Sequence, residues 1–239
     1  MEVDIFIPCY IDQFYAQTAF NTIKVLEKAG CKVHYNQMQT CCGQPAYNAG
    51  YVDEAFKVAN KFLNDFNGNR YIVSPSASCI GMVKHSYQDF FDNSVQRKLF
   101  KKIQSKSYEL SEFLTSVLQR TDMGASFNAK VTYHDSCSAL RGLGIKKGPR
   151  ELLKKVKGLQ LIEMDESETC CGFGGTFSVV MEPISTAMAE QKVLNALKTG
   201  ADYIVGTDIS CLMHLEAFAK KQGHPIAIMH IADVLAQGY

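Results

Sequence analysis

The chain has no apolar run approaching the roughly 18–20 residues of a membrane-spanning helix. It opens on Met1-Glu2-Val3-Asp4, acidic rather than basic, and no apolar stretch with a small-residue cleavage site follows, so no secretory signal is expected. Neither sign of charge is in excess: 25 Lys and Arg against 24 Asp and Glu leave a net +1, which favours neither nucleic acid nor a membrane surface as partner. Low-complexity segments, a Walker motif, a serine nucleophile elbow and a His-Glu-x-x-His helix are all missing, and Gly142-Leu143-Gly144 falls short of a dinucleotide fingerprint. With 46% hydrophobic residues the chain can bury a full core without disulfide staples. These absences lead to the expectation of a cytoplasmic protein that meets the inner face of the membrane only through partners.

What is present is cysteine. Eight of the nine fall into two copies of one pattern, Cys9, Cys41-Cys42-Gly43 and Cys79, then Cys137, Cys170-Cys171-Gly172 and Cys211. The offsets are 128 (Cys9 to Cys137), 129 (Cys41 to Cys170) and 132 (Cys79 to Cys211). In a reducing compartment such thiols point to metal or redox chemistry, with zinc and iron–sulfur clusters as the usual guests. Buried filler suits only Cys31, whose counterpart 128 residues on is Leu159. Structural zinc takes C-x2–4-C pairs, whereas adjacent cysteines suit a polynuclear cluster because they can reach different metal atoms. A ferredoxin-type C-x2-C-x2-C run is absent.

The halves also match in their secondary-structure signals. β-rich runs at Val3–Pro8 and Val131–His134 lead to Cys9 and Cys137. The apolar spacing of Ala16, Phe20, Ile23 and Leu26 predicts a helix from about Phe14 to Ala29, with Gly30 as its stop. Strands at Lys32–Tyr35 and Leu159–Ile162 lead to the two Cys-Cys-Gly runs. Helices follow at about Val52–Asn67 and Ile184–Thr199, then strands at Tyr71–Val73 and Tyr203–Val205 before Cys79 and Cys211. Strands alternating with helices predict an α/β fold of two pseudo-symmetric Rossmann-like units, residues 1–122 and 123–239, with parallel sheets covered by helices. The linker composition of Arg120–Ala125 marks the boundary.

All the repeated cysteines follow the C-terminal ends of predicted strands, where open α/β sheets bind ligands. Two adjacent cysteines face one centre only if the backbone bends, and the glycine after each pair permits that. Gly172-Phe173-Gly174-Gly175 can bring N–H groups to sulfur, and helices starting just after Cys79 and Cys211 would add positive charge. Two quartets, each in its own pocket, are the expectation.

The runs Cys41-Cys42-Gly43-Gln44-Pro45-Ala46-Tyr47-Asn48, Ser74-Pro75-Ser76-Ala77-Ser78-Cys79, Cys170-Cys171-Gly172-Phe173-Gly174-Gly175-Thr176-Phe177-Ser178 and Cys211-Leu212-Met213 carry a resemblance to the cysteine-rich, or CCG, domain family. That family includes a cysteine-rich component of heterodisulfide reductase and the iron–sulfur subunits of glycolate oxidase and anaerobic glycerol-3-phosphate dehydrogenase. The resemblance covers the chain essentially end to end and is strongest to a stand-alone two-repeat branch. It implies iron–sulfur binding by one or two [4Fe–4S] clusters, with Cys9, Cys41, Cys42, Cys79, Cys137, Cys170, Cys171 and Cys211 as ligands. It also implies electron transfer in the oxidation of L-lactate to pyruvate, alongside two further proteins of a lactate-utilisation system. In the heterodisulfide reductase branch each repeat closes with Cys-x-x-Cys. Here Ser76 and Asp208 stand at the first place of each closing pair, which leaves four cysteines per set. That count argues against a thiol–disulfide reductase. A zinc-binding interaction scaffold is the other alternative.

Several residues have two open roles. Ser76 and Asp208 are oxygen ligands or helix caps. His134 tunes or ligates a cluster or is a hydrogen-bonded strand end, and His214 tunes or ligates a cluster or is a plain helix-face residue. Arg141 offsets cluster charge or holds a carboxylate, or it faces solvent. Lys101-Lys102 and the Lys146–Lys157 region are solvated faces or a docking patch for an acidic redox partner.

Overall fold

Short strands apolar on both sides are what a parallel sheet covered by helices on each face requires. The computed structural model describes residues 1–239 and contains two such sheets of four strands each. In the first half β1 (Glu2–Ile5), β2 (Lys32–Tyr35), β3 (Tyr71–Ser74) and β4 (Ser107–Glu109) stand in the order β2-β1-β3-β4. In the second, β5 (Lys130–Tyr133), β6 (Gln160–Leu161), β7 (Tyr203–Gly206) and β8 (Ala227–His230) stand in the order β6-β5-β7-β8. Every pairing is parallel and the registers correspond: Ile5 pairs with Val73 as Tyr133 pairs with Val205. The α/β reading of the sequence, with two parallel Rossmann-like units, is the fold observed.

The connections of the first half are α1 (Cys9–Phe14), α2 (Ala16–Lys28), α3 (Gln44–Asn48), α4 (Val52–Asp65), α5 (Ala77–His85), α6 (Ser94–Gln104) and α7 (Leu110–Glu112). Those of the second are α8 (Lys147–Leu153), α9 (Phe177–Val180), α10 (Glu182–Lys198), α11 (Ile209–Gln222) and α12 (Ile231–Leu235). The helix expected over Phe14–Ala29 is broken at Tyr15, whose φ of −135° and ψ of 44° are non-helical. Cys9 is therefore the first residue of a separate short helix. Strands β4 and β8 have no counterpart among the predicted elements.

The largest apolar cluster draws on both halves, joining Val3, Ile5, Val25 and Leu26 to Val131, Leu152, Val205 and Leu235. Across it, Thr18 Oγ1 and Asn21 Nδ2 on α2 donate to the two carboxylate oxygens of Asp233 on α12, at 2.9 and 2.8 Å. Cys31 is buried within this cluster, as a filler should be. A second cluster covers the other face of the first sheet and is rich in aromatics, among them Phe6, Phe62, Phe66 and Tyr87.

Candidate metal centre

Each repeated cysteine is placed by the turn that follows a strand. Cys41 and Cys42 come after β2 and bend at Gly43, where φ is +84°. Cys170 and Cys171 bend at Gly172, where φ is +93°. A Cβ at Gly172 would lie 2.5 Å from the carbonyl oxygen of Ser185 on α10, so only glycine fits there. Cys79 and Cys211 are the third residues of α5 and α11, whereas the sequence suggested helices that start just after them. For α5 the reason is the cap: Ser76 Oγ accepts the Cys79 N–H at 3.3 Å, so the helix is under way before the cysteine.

All eight cysteines line a single cavity of about 400 Å³. The separate pockets expected from the sequence are one space, because hydrogen bonds join the strand ends of the two halves. Asp208, just after β7, accepts from Ser76 Oγ at 3.1 Å and from the Ser78 N–H at 2.9 Å on one oxygen. Its other oxygen accepts from Ser136 Oγ at 2.6 Å. Asp208 thus caps a helix of the opposite half, with both of its oxygens hydrogen-bonded. Within the cavity the thiols still form two sets, since Cys42 interacts with Cys41 and Cys79, and Cys171 with Cys170 and Cys211.

Cys9 Sγ lies 3.6 Å from Cys41 Sγ. Thiol donation from Cys42 and Cys9, together with the Gly43 N–H at 3.4 Å, holds Cys41 well below the ordinary thiol range. Its hydrogen bond to Cys41 and its own burial push Cys9 far up. In the second set the Gly172 N–H points at Cys170 Sγ and the Phe173 N–H at Cys171 Sγ, each at 3.4 Å. Such N–H groups stabilise thiolates and reduced clusters. Tyr10 and Phe173, both lining the cavity, meet edge to face at 5.9 Å and bridge the two sets.

The surroundings of the sets differ. Behind the first, Tyr87 Oη donates to the Cys42 carbonyl at 2.9 Å within an aromatic layer. Behind the second lies Lys192, fully buried, its Nζ donating to the carbonyls of Glu166 and Ser167 at 2.6 and 3.0 Å. Burial pulls this lysine down to about 8, against the attraction of Cys171. Lys192, Tyr10 and Tyr87 are residues that sequence reasoning did not single out. Lys192 had one detectable signal: it stands 130 residues after Phe62, as Ser185 stands after Ala55, so a charge occupies a core position of the repeat.

Other candidates fall outside the cavity. Arg141 is exposed and donates to the Glu168 carbonyl at 3.3 Å. His214 is hydrogen-bonded to Ser185 Oγ at 3.1 Å, and that hydroxyl donates to the Gly172 carbonyl at 2.8 Å, so the histidine braces the Cys-Cys-Gly turn from behind. Arg150 is tied to Asp135 at 2.7 Å and to Glu163, and Lys146 pairs with Glu168, which removes both from a free basic patch. His134 is not the hydrogen-bonded strand end of the simpler reading, since neither ring nitrogen has a partner.

The sequence profile of the cysteine-rich domain, CCG, matches residues 3–84 and 131–216. Lactate utilization protein A of Halalkalibacterium halodurans is 47% identical over 236 residues, 98% of this chain and 96% of the relative. The protein of the same name from Geobacillus kaustophilus is 43% identical over 235 residues, 98% of each chain. A crystal structure of a hypothetical protein from Helicobacter pylori superposes with a TM-score of 0.69 at 15% identity, and this chain spans about half (49%) of its length.

Proposed function

The chain belongs to the cysteine-rich (CCG) domain family and stands with the full-length relatives named Lactate utilization protein A, and on that footing we propose that it is an iron–sulfur electron-transfer subunit of the system that oxidises L-lactate to pyruvate. The observation that carries the proposal is the gathering of all eight repeated cysteines, and no carboxylate free to ligate, around one cavity at the strand ends. A donor set of thiols alone selects soft, thiophilic metals, and the N–H groups aimed at Cys41, Cys170 and Cys171 suit sulfur that carries negative charge. Each repeat, 1–122 and 123–239, supplies four of the ligands, and four thiolates suffice for a [4Fe–4S] cluster. A bound cluster supplies one-electron redox chemistry. The chain's own residues fix the geometry of the sulfurs and tune their charge.

The substrate's own oxidation belongs to another component, because no side chain lining the cavity, the thiols aside, is free to act as a base. Two further proteins of the lactate-utilisation system are the partners in this reading, and the cytoplasm is its location. No helix is long and apolar enough to cross a membrane.

One distance favours a second reading. Two thiolates on one tetrahedral zinc stand about 3.8 Å apart for a bond of about 2.3 Å, and Cys9 and Cys41 are 3.6 Å apart. Oxygen-free purification with iron, sulfide and zinc analysis and EPR decides between them. The expected result is a brown protein with iron and acid-labile sulfide, from which Cys42→Ser and Cys171→Ser each remove part of the iron while the fold persists. Stoichiometric zinc without sulfide would overturn the proposal. Deletion of the gene should abolish growth on L-lactate in a strain with no other lactate oxidase, and normal growth would remove the lactate assignment.

A further inference from the structure

In the second half a histidine stands where the first has a phenylalanine. The amide of Phe6 donates to Val73 O at 2.9 Å and that of His134 to Val205 O at 2.8 Å, the same rung in each sheet, and each precedes its half's first cysteine by three residues. Phe6 packs edge-on against Phe62 with ring centroids 4.9 Å apart. The place of Phe62 is taken in the second half by Lys192, in a helix whose buried Ser185, Ala189 and Val193 answer to Ala55, Ala59 and Leu63 at the same offset. An apolar pair behind one thiol set has thus become an imidazole and an ammonium behind the other.

His134 is 1% exposed, and neither Nδ1 nor Nε2 has a hydrogen-bond partner. A neutral imidazole carries one N–H and one lone pair, and either one left unpaired in a core forfeits the hydration it had in the unfolded chain. Nothing on the protein answers them. A ligand atom of His134 and the sulfurs of Cys171 and Cys211 all lie within 4.8 Å of one another. One soft or borderline cation with bonds of about 2.0–2.3 Å to nitrogen and sulfur spans such a triangle after a small inward shift.

We infer that His134 is a nitrogen ligand of the second metal centre, closing with Cys171 and Cys211 a mixed imidazole–thiolate site that the first repeat, with Phe6 in this place, does not have. The inference rests on the cysteines being metal ligands, but not on the metal being iron. The two centres are then chemically unequal.

The test uses the full chain with isotopically labelled histidine, stripped of metal under reducing, oxygen-free conditions and loaded with NMR-active cadmium(II) alone. In a Cys42→Ser background, which weakens the first set, the retained cadmium should show scalar coupling to one imidazole nitrogen. His134→Phe should abolish that coupling and lower cadmium affinity about tenfold or more, with thermal stability preserved because Phe6 shows the place accepts the ring. Should His134→Phe fail to fold, His134→Gln gives the same readout. Cadmium bound without nitrogen coupling, or coupled to another histidine, overturns the inference and leaves the thiolate reading intact. Failure to retain any cadmium overturns both.

Discussion

Ser76 Oγ donates to Asp208 Oδ1 at 3.1 Å, across the boundary between the two halves. The same carboxylate receives the Ser78 N–H and, on its other oxygen, Ser136 Oγ. One buried side chain therefore fixes the distance between the two thiol sets. Removing it leaves the three donors without a partner, and hydrogen bonds to a charged acceptor are worth about 1.5–3 kcal/mol each. Asp208→Ala should lower the urea midpoint by the equivalent of about 3–5 kcal/mol, after allowance for relaxation, and disturb metal loading of both sets. Asp208→Asn, which keeps two of the contacts, should lose less. An unchanged midpoint in the alanine variant would show that the two halves are held together elsewhere.

The Cys-Cys-Gly turns differ in tolerance. Gly172 has no room, its added Cβ falling 2.5 Å from backbone oxygen, while that of Gly43 would sit 3.4 Å from the nearest atoms. Both are at positive φ, which costs a non-glycine residue about 1–3 kcal/mol. Gly43→Ala should lose stability in that range and Gly172→Ala clearly more, with selective loss of metal from the second set. Thermal melts of the two variants check the order.

Metal-free protein exposed to air should first join Cys9 to Cys41. Their sulfurs are 3.6 Å apart, and Cys41 is the thiol held in the thiolate form that attacks. Alkylation followed by peptide mass mapping should find this pair oxidised before either vicinal pair. Earlier appearance of a Cys170–Cys171 link would contradict the assignment.

Glu109 and His230 occupy matching places at the ends of β4 and β8, and each side chain caps the helix that follows, accepting from Ser111 N at 2.8 Å and Ala232 N at 3.1 Å. Their pH effects oppose each other. Burial pushes Glu109 up from 4.5 to about 8. Between those values the folded chain holds a proton that the unfolded chain has released, so this residue's contribution to stability falls as pH rises through the window. Glu109→Gln should match the wild type near pH 4.5 and exceed it increasingly up to pH 8, by a few kcal/mol at most. Burial pulls His230 below its ordinary 6.5. Under that value the unfolded chain takes up a proton that the folded one refuses, so His230→Gln should gain on the wild type as pH falls. Denaturant midpoints across pH, measured on metal-free protein, test both; a gap that is constant with pH would refute the assignments.

Much of this molecule was legible in its sequence. The Val- and Ile-rich runs around Val3, Val73, Val131 and Val205 gave parallel strands, and the doubled spacing of Cys9, Cys41, Cys42 and Cys79 gave the repeat. The glycines after each cysteine pair gave the bends. What stayed hidden depends on packing between distant segments. A shared cavity cannot be read from spacing, because it follows from how Asp208 reaches Ser76 and Ser136 in space. Lys192 reads as one more solvated lysine on a helix until its register places it in the core. His134 looked like an ordinary strand end because only the folded chain shows that nothing meets its ring. The start of α5 before Cys79 escaped because a serine cap and a serine ligand look alike as letters.

The apolar cluster that runs from Val3 to Leu235 has a bearing on how the molecule was assembled. The duplication is internal, yet the larger of the two interiors belongs to both copies at once. Cut at the linker, each fragment would present to water the face it now buries against its twin. Heat should therefore melt the whole as one body and release every bound ion in a single step.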